Sequence, residues 1–70
     1  MAKEPTSHKG RALREYEASE RLDISAATLA TWRCRGKGPR YVRFGRAIRY
    51  FEADLDAYAE SHAVDPEASE

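Results

Sequence analysis

Seven cationic side chains, Arg33, Arg35, Lys37, Arg40, Arg43, Arg46 and Arg49, fall within residues 24–51, and that stretch holds no Asp or Glu. Cations with no acids among them cannot neutralise one another. The chemistry they offer is the binding of a polyanion. The acids lie elsewhere: residues 52–70 hold seven and no Lys or Arg, and the first 23 residues hold five of each sign. A formal net charge of zero therefore hides a block of charge +7. Aromatics interleave with these cations, Trp32 among them. That mixture marks a folded basic surface rather than a disordered basic tail, and it points to nucleic acid.

Other chemistries find little support. His8 and His62 share no motif with each other or with the single Cys34, so no metal site is expected. Ser, His and Asp are scattered without a nucleophile motif. Gly36-Lys37-Gly38 lacks the length and the downstream Lys-Ser/Thr of a phosphate-binding loop. No catalytic residue, cofactor or small-molecule substrate is assigned. Cys34 stands between Arg33 and Arg35, which favours its thiolate, but it has no resolving partner. One cysteine cannot form an internal disulfide and fits a reducing compartment. No apolar run approaches the ~18 residues a membrane span needs. The reading is a soluble cytoplasmic protein that acts on DNA, away from the membrane.

Seventy residues make one small domain, with a marginal core in which each large apolar side chain matters. Residues 1–12 are polar and aperiodic and read as flexible. Residues 63–70 are small and acidic around Pro66 and read the same way. The folded part is 13–62. The pattern predicts a helix over 15–22, with Ala18 and Leu22 on one face and a break at Asp23-Ile24. Ser25 is a good N-cap for a second helix running to about Arg35, where Gly36 stops it. Leu29 and Trp32 point inward from that helix. Residues 40–51 alternate. A three-residue loop, Gly45-Arg46-Ala47, would place Phe44 opposite Ile48 and Val42 opposite Tyr50 on one apolar face, with Arg43 opposite Arg49 outside. The turn type stays open, because a bulged three-residue loop prefers its glycine last. Residues 52–61 read as a third helix, with Glu52 and Asp54 at its positive end and Phe51, Leu55 and Tyr58 covering the core. The fold class is mainly α with a small β-hairpin: a winged helix-turn-helix.

The run from Glu17 to Arg33, containing Ser25-x-x-Thr28-Leu29-x-x-Trp32, resembles the helix-turn-helix of MerR-like and phage excisionase proteins. The likeness continues through Gly36-Lys37-Gly38-Pro39, the wing Arg40-Tyr41-Val42-Arg43-Phe44-Gly45-Arg46, Ile48-Arg49-Tyr50 and Asp54-Leu55. It covers about 50 of the 70 residues and is most like the small winged-helix excisionases of actinobacterial phages. Two departures carry meaning. Asp23 stands where the family usually has glycine in the turn, and Asp tolerates a left-handed backbone better than most residues. Ala27, Ala30 and Thr31 stand where relatives often carry long polar side chains.

The resemblance implies a recognition helix presenting Ser25, Ala27, Thr28, Thr31, Arg33 and Arg35 to double-stranded DNA. Short side chains let such a helix sit deep in a major groove and touch thymine methyls, with little bidentate base readout. Lys37, Arg40, Arg43, Arg46 and Arg49 form the loop and wing contacts, with Arg46 at the tip entering the minor groove. Arg33 and Arg35 equally suit the negative end of the helix dipole with no ligand present. The implied role is a recombination directionality factor. It would bind cooperatively at attachment-site DNA by self-association on adjacent sites, bend the duplex and direct a phage integrase toward excision. A small transcriptional regulator on the same fold is the alternative, although no apolar heptads follow Tyr58 to build the long dimer helix of MerR regulators. An interaction module without DNA fits the basic block least well.

Overall fold

The structure, a computed structural model, describes residues 10–66. The first nine and last four residues, and with them His8 and most of the two flexible segments expected from sequence, lie outside the described residues. The order of elements is β1 (Ala12–Leu13), α1 (Glu15–Leu22), α2 (Ala26–Cys34), β2 (Val42–Phe44), β3 (Ala47–Phe51) and α3 (Glu52–Ser61). Two helices joined by a tight turn and followed by a hairpin make a winged helix-turn-helix, the fold class expected.

Helix α1 starts where the Glu17 carboxylate accepts the Arg14 backbone N–H at 2.8 Å. That hydrogen bond holds the Glu17 carboxyl below its ordinary pKa. Its contribution is present above the ordinary carboxylate pKa and fades as pH falls through the lowered value. The helix ends in a Schellman motif centred on Asp23, at φ 58° and ψ 43°. The Asp23 N–H donates to the Glu20 carbonyl at 3.2 Å, and the Ile24 N–H to the Ser19 carbonyl at 3.0 Å. Asp23 is the one described non-glycine residue with positive φ. Asp23→Gly should therefore stabilise the domain by about 1 kcal/mol, because glycine adopts this conformation without the side-chain penalty. A thermal melt checks this, with a rise of ~4–8 °C expected for a domain of this size.

Helix α2 begins at Ser25, whose Oγ accepts the Thr28 N–H at 3.0 Å. It closes with a second Schellman motif. Gly36, at φ 73°, donates to the Arg33 carbonyl at 3.2 Å, and Lys37 donates to the Trp32 carbonyl at 2.9 Å. Glycine is needed here because the backbone must turn left-handed to leave the helix.

The sheet has the order β1-β3-β2, all antiparallel. Strand β1 was not expected from sequence: Ala12 pairs with Phe51 and Leu13 with Tyr50, so the folded chain starts before Leu13. The hairpin register also differs from expectation. Phe44 pairs with Ala47, Arg43 with Ile48 and Val42 with Arg49, so the loop is the two residues Gly45-Arg46. Gly45 has φ 63° and Arg46 stays at negative φ, which is the pattern of a type II′ turn with glycine first. Such a turn matches strand twist better than a bulged loop with its glycine in the wrong place. The one-residue shift moves side chains to the opposite face. Val42 and Phe44 leave the core and face outward, and Phe44 is 55% exposed. Arg43 and Arg49 lie on opposite faces, so the like-charge pair expected across the hairpin does not form.

The core is Leu13, Ala18, Leu29, Tyr50 and Leu55, with Leu22, Trp32, Tyr41 and Ile48 packed against it. Ala18, fully buried, lets α1 approach its neighbours closely. Helix α3 brings Leu55 into this core. Its Tyr58 ring meets Trp32 at a centroid distance of 6.0 Å.

Candidate nucleic-acid interface

The cations divide into two groups when their partners are traced. On the first group, carboxylates close in. Arg11 reaches Glu17 at 3.6 Å, and Arg21 meets Asp56 at 3.1 Å and Glu52 at 3.7 Å. Arg14 faces Glu17. Arg40, expected in the DNA-contacting loop, bridges to Asp54 of α3 at 3.0 Å, although its side chain remains largely exposed. Arg33, expected on the recognition face, turns inward instead.

The inward turn of Arg33 follows from helical geometry. Leu29 and Arg33 are one turn apart, so Arg33 shares the buried side of α2. Its guanidinium pairs with Glu15 of α1, lies 3.5 Å from the Tyr50 hydroxyl and sits over the Tyr41 ring at 5.9 Å. The Tyr50 hydroxyl in turn donates to Glu15 Oε2 at 3.3 Å. One charged cluster thereby ties α1, α2 and β3 together. The spacing from Leu29 was the signal in the sequence that could have placed it. The Tyr50 contact, followed by the Glu15 pair, raises the Arg33 pKa, so the guanidinium keeps its charge. Burial pushes the Tyr50 phenol above its ordinary pKa. The raised folded value means that Tyr50 favours the folded state below the ordinary phenol pKa of about 10. That contribution is lost as pH rises through the folded value. In an alkaline spectrophotometric titration, one of the four tyrosines should ionise last and together with unfolding. Tyr50→Phe should remove that late step.

The second group has no carboxylate partner among the described residues. It comprises Arg35, Lys37, Arg43, Arg46 and Arg49, with Arg49 donating to the Ile48 carbonyl at 2.8 Å. In sequence they run from the end of α2 through the loop and β2 to β3, where Arg49 pairs with Val42. Arg35, Lys37, Arg43 and Arg46 are exposed. Arg35 caps α2 and Lys37 follows its terminal glycine. Arg43 stands on β2, and Arg46 occupies the turn at the tip of the wing.

On α2 itself, Ala27, Thr31 and Cys34 are exposed, and Ala30 is half-buried. Thr28 and Ser25 are engaged with each other: Ser25 Oγ donates to Thr28 Oγ1 at 2.9 Å while accepting the Thr28 N–H. The solvent face of this helix is a shallow strip of small side chains ending in Arg35. Lys37, Gly38, Pro39, Arg40 and Tyr41 line a cavity of about 280 Å³ in the loop between α2 and the wing. Among the described residues no group of three His, Cys, Asp or Glu side chains could hold a metal ion, and no helix is long and apolar enough to cross a membrane.

The arrangement is a positive ridge without carboxylate partners among the described residues, beside a helix with a smooth outer face. Comparison with known families gives a match over residues 16–63 to the family described as "Helix-turn-helix domain". No curated protein and no solved structure matches the chain.

Proposed function

The chain belongs to the helix-turn-helix domain family, and from that premise we propose that it is a DNA-binding excisionase. It binds attachment-site DNA in several adjacent copies, bends the duplex and steers a phage integrase toward excision. The observation that carries the reading is the sorting of charge. The cations with carboxylate partners brace the fold, and the five with none among the described residues run from the end of α2 to the wing. A polyanion is the partner that satisfies them.

The smooth face of α2 supports the excisionase role over a solitary sequence reader. Ala27 and Thr31 can touch thymine methyls but offer no bidentate grip on guanine. Discrimination then has to come from adjacent copies and from a protein partner on the same DNA. Bending a site of 20–30 base pairs costs on the order of 1–6 kcal/mol, which contacts from several copies can offset. The role asks no catalysis of this chain.

A gel-shift titration on the attachment-site DNA of the source phage or prophage, with and without its integrase, tests the proposal. The expected result is a ladder of shifted bands that integrase sharpens into one slower complex. Binding to promoter DNA but not to attachment DNA, with no integrase effect, would make the chain a transcriptional regulator on the same scaffold.

A further inference from the structure

The wing carries an aromatic side chain that the domain itself does not bury. Phe44 closes the hairpin opposite Ala47, on the face away from the core, and is 55% exposed. Val42 and Ala47 share that face. Ala47 is too small to cover the ring across the strand pair. The surroundings of the ring are cationic. Arg46 occupies the turn two residues on and Arg49 lies on the same face opposite Val42, while Arg43, next in sequence to the ring, flanks it from the other face of the hairpin. None of the three has a carboxylate partner among the described residues. A ring left exposed among unpaired guanidinium groups suits a partner that is both polyanionic and stacked. An apolar protein surface would satisfy the ring and leave the arginines desolvated without partners.

We propose that Phe44 is a DNA wedge. Resting on the DNA-binding reading above, it enters the minor groove with the wing tip and inserts its ring between two adjacent base pairs. Arg43, Arg46 and Arg49 hold the flanking phosphates and groove walls. Apolar wedges of this kind partly unstack a base step and kink the duplex toward the major groove. The deformation is easiest at pyrimidine–purine steps. The wedge therefore supplies sequence preference through deformability, in a protein whose recognition helix offers few base-reading groups. It also places the bend at a defined step under each wing.

The test uses the full chain and a duplex of about 30 base pairs selected for binding from a random-sequence pool. 2-Aminopurine at successive positions reports unstacking, end-labels report bending by energy transfer, and anisotropy reports binding. The wild-type chain should brighten 2-aminopurine at one step per bound copy and shorten the end-to-end distance. Phe44→Ala should melt like wild type, since the ring is exposed, and bind within several-fold. It should lose the unstacking signal and most of the bend. Phe44→Leu, still an apolar wedge, should restore part of both. If Phe44→Ala binds, bends and unstacks the duplex as wild type does, the wedge is wrong and the DNA-binding reading stands. If Phe44→Ala leaves the bend unchanged but abolishes self-association of the free chain, the face is a contact between copies and the wedge is wrong. If the wild-type chain binds no duplex, the DNA-binding reading fails, and the wedge fails with it.

Discussion

Replacing Arg35, Lys37, Arg43 and Arg46 together with glutamine should lower affinity for duplex DNA by about a thousandfold at physiological salt, with the fold intact. Each phosphate contact contributes about 0.9 to the slope of log K against log salt. Four lost contacts should flatten that slope by about 3.6, and at 0.15 M they correspond to roughly three decades in affinity. None of the four side chains has a carboxylate partner among the described residues, and all four are exposed, so the melting temperature should hold or rise slightly as self-repulsion is relieved. Anisotropy titrations at several salt concentrations, alongside thermal melts, measure both quantities. Single replacements should each remove about one unit of slope and weaken binding across sequences alike. A quadruple variant that keeps wild-type affinity would place the DNA on another face.

Arg33→Ala should show the converse. Its guanidinium serves Glu15, Tyr50 and Tyr41 rather than solvent, with only a fifth of the side chain exposed. Removing it strands the Glu15 carboxylate, itself 26% exposed, beside a buried phenol. Removing one partner of a fully buried pair costs about 3–5 kcal/mol, and partial exposure reduces that here to about 2 kcal/mol. In a domain of this size the midpoint should fall by about 10 °C. The salt slope of DNA binding should be unchanged below the new midpoint, because no phosphate contact is lost. Arg33→Met combined with Glu15→Met should recover most of the stability, since an apolar pair of similar volume leaves no stranded charge. A salt slope that falls by one unit in Arg33→Ala would return Arg33 to the DNA interface.

Arg33 and Arg35 show how much of the interface the sequence exposed. Both lie in the acid-free block, and the linear pattern treats them alike. Helical spacing separates them: Arg33 is one turn from Leu29 and turns inward, while Arg35 caps the helix in solvent. Arg40 fits the same lesson, because its partner Asp54 comes from the acidic segment beyond the block. The helices were legible because their signals are local. Glu15–Leu22 and Glu52–Ser61 match the expected spans, and Ser25, Asp23 and Gly36 act at the helix ends as their types dictate. The wing was legible as a hairpin but not in register. The alternation favours a three-residue loop, since a two-residue loop sets Arg49 opposite Val42 and mixes the faces, but Gly45 with its positive φ at the first turn position selects the two-residue loop all the same. Strand β1 left no trace because two residues cannot show a period. It forms because β3 has a second edge on which Leu13 can pair with Tyr50.

In the proposed complex DNA lies along the outer face of α2, the loop and the wing, and the acidic helix α3 stays free. Amide chemical-shift mapping of the isotope-labelled chain during titration with duplex DNA tests this most directly. The largest shifts should fall at Ala27, Thr31, Arg35, Lys37, Arg43, Gly45 and Arg46, with Asp56, Glu60 and their neighbours on α3 nearly unmoved. Shifts centred on α3, or none at saturating DNA, would contradict it.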